Sequence, residues 1–343
     1  MRSIALVAQR TLEEYRLPDP PDPGPGEVLV KLKRVGICGS DMHWYLEGGI
    51  GHTKAGYPQV LGHEPAGEII ATGKGVHSRK VGDRVSIEPS LTCGHCEFCL
   101  RGQHNNCIHC VFLGSPQAPG LFREYAVVPE HNADPVPESL NWSQAALIEP
   151  VAVIVHVMEL VPVHLGDTVA VMGAGPIGML CASMAKQAGA ARVYICDKLP
   201  HRLELARKMG ADVAAPVGEM EQVVMDETRG RGVDLVLDAA GALETVNMGI
   251  RIARLSGRYM LIAIPVGSDL PFDIHTAMNK ELLIHTLKRS NHKGAEAARL
   301  LAAGRISDAL VTHTVPFEQT ARGFELLANY ADNVGKVIIQ VAP

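Results

Sequence analysis

The stretch Thr168–Ala190, TVAVMGAGPIGMLCASMAKQAGA, decides the fold. TVAVM reads as a buried strand, and the run from Pro176 reads as a helix, with proline in its first turn and Gly189 near its end. Ile177, Leu180, Cys181 and Met184 recur at helical spacing. Between strand and helix, GAGPIG sets Gly173, Gly175 and Gly178 where a dinucleotide fingerprint needs them. The first glycine permits the tight turn, the second lets a pyrophosphate approach the backbone, and the third lets helix and strand pack closely. The loop of Gly173, Gly175, Pro176 and Gly178 would then present free helix N–H groups to the phosphates. Asp197 ends the next strand, VYICD, where an acid can accept from adenosine ribose hydroxyls. An acid there repels a 2′-phosphate, so NAD is expected rather than NADP, although Lys198 and Arg202 lie close by in sequence.

Outward from this stretch, ARVYICD, HRLELARKMG, GVDLVLDAAG, LETVNMGIRIARL, GRYMLIAI and ELLIHTL alternate strand and helix signals. That alternation predicts an α/β fold with a doubly wound parallel sheet. Before residue 150 the chain is rich in Gly and Pro, with short β-branched runs such as EVLVKLKRVGI, AGEIIATG and GDRVSIEPS, which suits a β-rich domain. Residues 290–343 hold one or two helices and a closing strand, GKVIIQV, too little for a core of their own. We therefore expect a discontinuous β-rich domain of residues 1–150 and 290–343, and a dinucleotide domain of residues 151–289.

Lys and Arg number 32 against 37 Asp and Glu, a net charge of −5. No broad basic face exists to neutralise phosphates, and nucleic acid is not an expected partner. The N-terminal apolar run is too short for a secretion signal. The longest apolar run, Val151–Val163, is broken by His156, Glu159 and Pro162 and fails as a membrane span. A cytoplasmic location is expected, where clustered cysteines are metal-bound thiolates rather than disulfides. Cys181 and Cys196 read as small buried hydrophobes.

Five of eight cysteines fall between Cys93 and Cys110. Cys93, Cys96, Cys99 and Cys107, spaced C-x2-C-x2-C-x7-C, can close a tetrahedron around zinc, and a site of four thiolates leaves no position for chemistry. Cys110 is a fifth sulfur with no place in that set, and His95, His104 and His109 read as solvated loop residues. A second, dispersed group comprises Cys38, His63, Glu64 and Glu149. Spacing alone does not single it out.

GICGSD, GHE, VGDRV, the four-cysteine lobe, the EP at 149–150 and GAGPIG occur together in an order that resembles the zinc-dependent medium-chain dehydrogenase/reductase family over essentially the whole chain. GICGSDMHWYLEGGIG, RVSIEPS and ALIEPVAV are most similar to the polyol dehydrogenases of the sorbitol and xylitol type. GLFREYAVVP and RLELARKMGA are similar to threonine dehydrogenases too. The resemblance implies a GroES-like catalytic domain and a Rossmann NAD-binding domain with the active site in the cleft between them, and a homo-oligomer, tetramer or dimer.

Carried over by position, the resemblance makes Cys38 and His63 catalytic zinc ligands. Glu64 becomes a third ligand or a carboxylate just behind the ligands, and Glu149 binds zinc directly or through water. Cys93, Cys96, Cys99 and Cys107 hold the second, structural zinc. The implied reaction is oxidation of a secondary alcohol: zinc acidifies the hydroxyl, hydride passes to NAD, Ser40 accepts the proton and His43 passes it to solvent. Ile177, Asp197, Arg202 and Ile264 fall where relatives line the NAD site, and Arg289 falls near substrate and cofactor. Trp44 stands where relatives often have a tyrosine that touches the polyol, and Ser290 replaces the tyrosine usual in sorbitol dehydrogenases. The expected substrate is a polyol or sugar derivative. A threonine-type amino alcohol dehydrogenase and a non-catalytic zinc-ribbon binding protein are the alternatives.

Overall fold

Strand Thr168–Met172 lies inside a six-stranded sheet in the computed structural model of the chain, which describes residues 1–342. The strand order is Val213–Pro216, Arg192–Asp197, Thr168–Met172, Val233–Asp238, Ala253–Leu261, Leu283–Thr286, and every pairing is parallel. Numbered along the chain this is 3-2-1-4-5-6, the doubly wound order of dinucleotide-binding sheets. Val169, Ala170, Val171 and Met172 are all fully buried, as a strand covered by helices on both faces requires. The predicted helix is present as Pro176–Gln187, with Pro176 in its first turn. Cys181 and Cys196 are fully buried, and burial pushes the Cys196 thiol up to about 12.

The chain divides into two compact units: Met1–Val153, Arg289–Gly304 and Val311 onward form one, and Ile154–Lys288 with Arg305–Leu310 form the other. The expected first domain ran unbroken from 290, whereas Arg305–Leu310 group with the parallel-sheet unit.

The first unit is built on a seven-stranded mixed sheet. Its central strand, Glu27–Gly36, points Val28, Val30 and Leu32 into the core on alternate positions, the period-two pattern that EVLVKLKRVGI carries. It pairs antiparallel with Glu64–Thr72, Tyr125–Pro129 and the C-terminal strand Lys336–Gln340. The tail therefore closes the sheet that the first strands open. It also contributes helices Gly294–Ala302 and Thr320–Ala328 and a strand, Val311–Pro316, that the sequence reading did not separate. Phe324 of the tail packs fully buried against the Tyr45 and Phe122 rings.

The apolar run after Leu147 is a 13-residue helix, Ile148–Leu160. No helix among the described residues is long and apolar enough to cross a membrane.

Candidate functional site

Three strands of the first unit meet at Gly36. The antiparallel register sets Gly36 opposite Glu64 and opposite Ile338. Cys38, two residues beyond Gly36, His63, just before Glu64, and Lys336 are thereby brought together although they are far apart in sequence. No side chain fits at Gly36: a Cβ there would lie 2.0 Å from Glu64 Oε2 and 3.0 Å from Lys336 Cε. The glycine leaves room for a buried carboxylate, and the carboxylate arrives with its counter-ion.

The ligand atoms of Cys38, His63 and Glu64 all lie within 4.8 Å of one another. Cys38 caps helix Gly39–Glu47, and its backbone N–H donates to Asp41 Oδ2 at 2.9 Å. The other Asp41 oxygen accepts from Gly62 N at 3.1 Å and lies 3.5 Å from His63 Nδ1. A carboxylate behind Nδ1 fixes the ring and leaves Nε2 as the nitrogen able to ligate, the arrangement usual behind metal-binding histidines. Ser40 Oγ lies 3.4 Å from that Nε2. Asp41 was not singled out in the sequence, yet its place three residues after Cys38, in the first turn of the helix, was a readable capping signal. We expect Asp41→Asn to weaken metal affinity by about 10- to 100-fold with the fold retained; metal titration of the stripped protein measures it.

Glu64 forms an ion pair with Lys336, both side chains almost fully buried, and Lys336 Nζ also donates to the Ile37 carbonyl at 2.8 Å. Glu149, in the first turn of its helix, does not join the three-residue group. It is within electrostatic reach of it: burial pushes its carboxyl up to about 8, with Glu64 and Glu88 adding and His63 and Lys336 opposing. Burial likewise lifts Glu88 to about 7. At His63 burial opposes the charged form, but Asp41 and Cys38 overcome it and hold the imidazole well above its ordinary range. Lys336 is raised against its burial by Glu64, Cys38 and Glu149. Burial is the leading cause at Glu149 and Glu88, whereas at His63 and Lys336 the acidic neighbours outweigh burial, so the anionic groups here hold positive charge in the pocket. One thiolate, one imidazole and one carboxylate are a donor set zinc accepts, with a tetrahedral position left for water or substrate.

The second group is closed. The sulfurs of Cys93, Cys96, Cys99 and Cys107 lie within 4.8 Å of one another, and none is in a disulfide. The Cys93 N–H donates to Cys107 Sγ and the Cys96 N–H to Cys93 Sγ, each at 3.4 Å. Backbone N–H groups aimed at sulfur favour thiolates, and such donors draw Cys96 down to about 6, while burial and then the neighbouring sulfurs push Cys99 up to about 12. Four thiolates fill a tetrahedron, so this group fits a structural zinc.

Cys110 packs against this lobe, and its sulfur accepts from Arg289 Nη1 at 3.3 Å. The same guanidinium stacks 4.1 Å from the Phe112 ring centroid, and Phe112 lies 5.2 Å from the His63 ring. Arg289 holds a left-handed backbone, φ 59°, and Ser290 beside it is buried. His95 and His109 stack on each other at 6.1 Å, while His104 packs edge-on against His292 at 4.6 Å and is more enclosed than a solvated loop residue. His43 is bonded to Glu47 at 2.8 Å across one helical turn. Trp44, on the same helix, is buried in the hydrophobic core of the unit.

In the second unit the glycine loop is sterically obligatory. Gly173 has φ 91°, and a Cβ on Gly178 would fall 1.8 Å from the Gly173 carbonyl oxygen. Gly175 caps helix Pro176–Gln187, whose next residue is Ile177, and its Cβ position is open apart from Arg202 Nη1 at 4.0 Å. Asp197 is nearly buried at the end of its strand. Its Oδ2 accepts from Ala174 N at 2.8 Å and its Oδ1 from Leu199 N at 2.9 Å, so it braces the loop from behind. Arg202 lies 4.0 Å from that carboxylate. Ile264, after the strand Ala253–Leu261, is 40% exposed.

One unit thus carries a glycine-rich strand-to-helix loop, and the other carries three clustered donors of a set that zinc accepts. Comparison with known proteins gives the family. Residues 24–138 match the profile of the alcohol dehydrogenase GroES-like domain, and residues 176–303 match that of the zinc-binding dehydrogenases. Sorbitol dehydrogenase of Bacillus subtilis (strain 168) is 34% identical over 342 residues, 99% of this chain and 97% of the relative. A probable D-xylulose reductase A of Arthroderma otae is 38% identical over 308 residues, 87% of this chain and 86% of the relative. The crystal structure of a short chain alcohol dehydrogenase from E. coli CFT073, complexed with cofactor NADH, superposes with a TM-score of 0.88 at 34% identity and covers 99% of both chains. The chain belongs to the zinc-dependent medium-chain dehydrogenase/reductase family, and it is an enzyme with the GroES-like and Rossmann folds of that family.

Proposed function

We propose that this enzyme oxidises a secondary hydroxyl of a polyol or sugar derivative to a ketone, with NAD as hydride acceptor and two zinc ions per chain. The observation that carries the reading is the convergence of the Cys38, His63 and Glu64 ligand atoms within 4.8 Å in a pocket that favours a cation. The relatives named for sorbitol and D-xylulose supply the substrate class.

Bound zinc would acidify the substrate hydroxyl and stabilise the charge that develops on its oxygen. Cys38, His63 and Glu64 would hold it, Asp41 orients His63, and Glu149 faces the group as a carboxyl able to act through water. Ser40, next to His63 Nε2, takes the hydroxyl proton, and His43 with its Glu47 partner hands it to solvent. The Gly173–Gly178 loop would hold the pyrophosphate of NAD, which when bound would supply the hydride acceptor. Asp197, its two oxygens each already accepting one backbone N–H, retains lone pairs for ribose hydroxyls and repels a 2′-phosphate, which favours NAD over NADP. Arg202 is held near that carboxylate rather than left as an isolated phosphate ligand. Arg289, between Cys110 and Phe112, is proposed to face substrate and cofactor; Trp44 is proposed to shape the pocket from the core side.

Cys93, Cys96, Cys99 and Cys107 would hold the second zinc and stabilise their lobe. A homo-oligomer is supported by the edge strand Leu283–Thr286, whose Leu283 and Ile284 are solvent-exposed on an unpaired sheet edge.

A spectrophotometric screen of polyols, sugar acids, sugar phosphates and threonine with NAD and with NADP tests the reading. Turnover of polyols or their derivatives with NAD is expected. Turnover of threonine alone would assign the amino alcohol reaction instead.

A further inference from the structure

A cationic cavity in the first unit shares no residue with either metal group or with the glycine loop. It has a volume of about 250 Å³, and its walls include Leu17, Pro18, Pro20, Pro119, Tyr125 and Val127, with Arg123 among them. Arg123 is fixed at its backbone: it bridges to Ser3, and its neighbours are fully buried Phe122 and Glu124, whose N–H donates to Arg2 O at 3.2 Å. Its side chain has no hydrogen-bond or ion-pair partner among the described residues; its Nε is sealed from water, while the residue as a whole is only partly buried and its two terminal nitrogens are not sealed. The carboxylates at hand are committed elsewhere. Glu124 accepts from Arg2 N at 2.7 Å and Arg2 Nε at 3.1 Å. Asp19, at the cavity rim, accepts from the Met1 amino group at 2.6 Å and is otherwise solvent-facing. Burial alone draws the Arg123 guanidinium down to about 10, still cationic at neutral pH.

A buried charge is normally paired, because desolvation without compensation is costly. Arg123 is partly shielded from water and has its Nε sealed, yet no acidic side chain pairs with it, and open volume adjoins the group. We propose that this cavity binds a small organic monocarboxylate with an apolar body, its carboxylate held by Arg123. The planar guanidinium matches a carboxylate bidentately. With the Met1 amino group already paired to Asp19, Arg123 is the one unpaired cation among proline, leucine, valine and tyrosine side chains, which suits one negative charge on a compact apolar frame. A phosphate dianion would need further donors, and Asp19 at the rim would repel it.

Benzoate is the probe, titrated calorimetrically into the full-length enzyme in the absence of polyol and NAD. Saturable binding with a rise in melting temperature is expected, and inorganic phosphate should neither bind nor displace it. Arg123→Met should weaken benzoate binding at least about tenfold and, without benzoate, should melt no lower than the wild type. Val127→Phe, which fills the cavity and keeps the guanidinium, should weaken it as well and carries the test should Arg123→Met not fold. Absence of benzoate binding to the wild type, undiminished binding in either variant, or displacement by phosphate overturns the proposal. None of these outcomes bears on polyol turnover.

Discussion

Cys38→Ser is expected to lower kcat/KM for polyol oxidation by about 10³ or more, the effect of removing about 4 kcal/mol of transition-state stabilisation. The thiolate is the softest donor in the Cys38, His63, Glu64 group, and a serine hydroxyl stays protonated at neutral pH. The remaining imidazole and carboxylate make a weaker site, and Glu64 is drawn toward Lys336. The fold should survive. Cys38 is partly exposed at the N-cap of helix Gly39–Glu47, where serine is a preferred residue. Steady-state kinetics beside a thermal melt separate the two effects: loss of turnover with the melt unchanged is expected. Activity within tenfold of the wild type would remove Cys38 from the chemistry.

Cys99→Ser should act in the opposite manner, on stability rather than on the chemical step. A structural zinc contributes folding free energy outright, and three thiolates with backbone N–H donors still aimed at them become an uncompensated cluster. Loss of about 3 kcal/mol would lower the melting temperature of a unit this large by roughly 6–12 °C. At temperatures well below the transition, kcat should stay within a few-fold of the wild type. The melt reads the first effect and low-temperature kinetics the second. A variant with unchanged melting temperature, or one that loses catalysis while fully folded, would show that the labour is not divided in this way.

The two groups were unequally legible in the sequence, and the reason is physical. The four thiolates are local: one loop supplies them all, so spacing alone suffices. The glycine loop was legible because its sterics are absolute, with only 1.8 Å between a Gly178 Cβ and the Gly173 carbonyl. Cys38, His63 and Glu64 are assembled by register between strands, Gly36 opposite Glu64, and no local pattern encodes that; the family resemblance named them where periodicity could not. Lys336 was missed because GKVIIQV reads as a strand, and nothing in it marks its lysine as a buried counter-ion. Arg123 was missed in the same way, inside a strand-like stretch where an arginine suggests a solvated edge. Asp197 carries a duty the fingerprint does not state, since it braces Ala174.

The strand Val311–Pro316 and the grouping of Arg305–Leu310 with the parallel-sheet unit mark another limit of local reading. The alternation in VTHTVP is short, and its partner, Lys336–Gln340, is supplied from later in the chain. Composition, in contrast, was enough to read Cys181 and Cys196 correctly. Both lie in the apolar interior of the parallel-sheet unit, with their thiols pushed up by burial.

The central claim is that one metal group does the chemistry while the cysteine lobe only holds structure. Zinc content per chain, measured on purified wild type and Cys38→Ser alongside polyol-dependent NADH formation, tests it most directly. Two zinc ions are expected in the wild type and one in Cys38→Ser, with turnover lost together with the zinc held by Cys38, His63 and Glu64. A single zinc in both proteins would contradict it and leave the four-thiolate lobe as the chain's sole metal site.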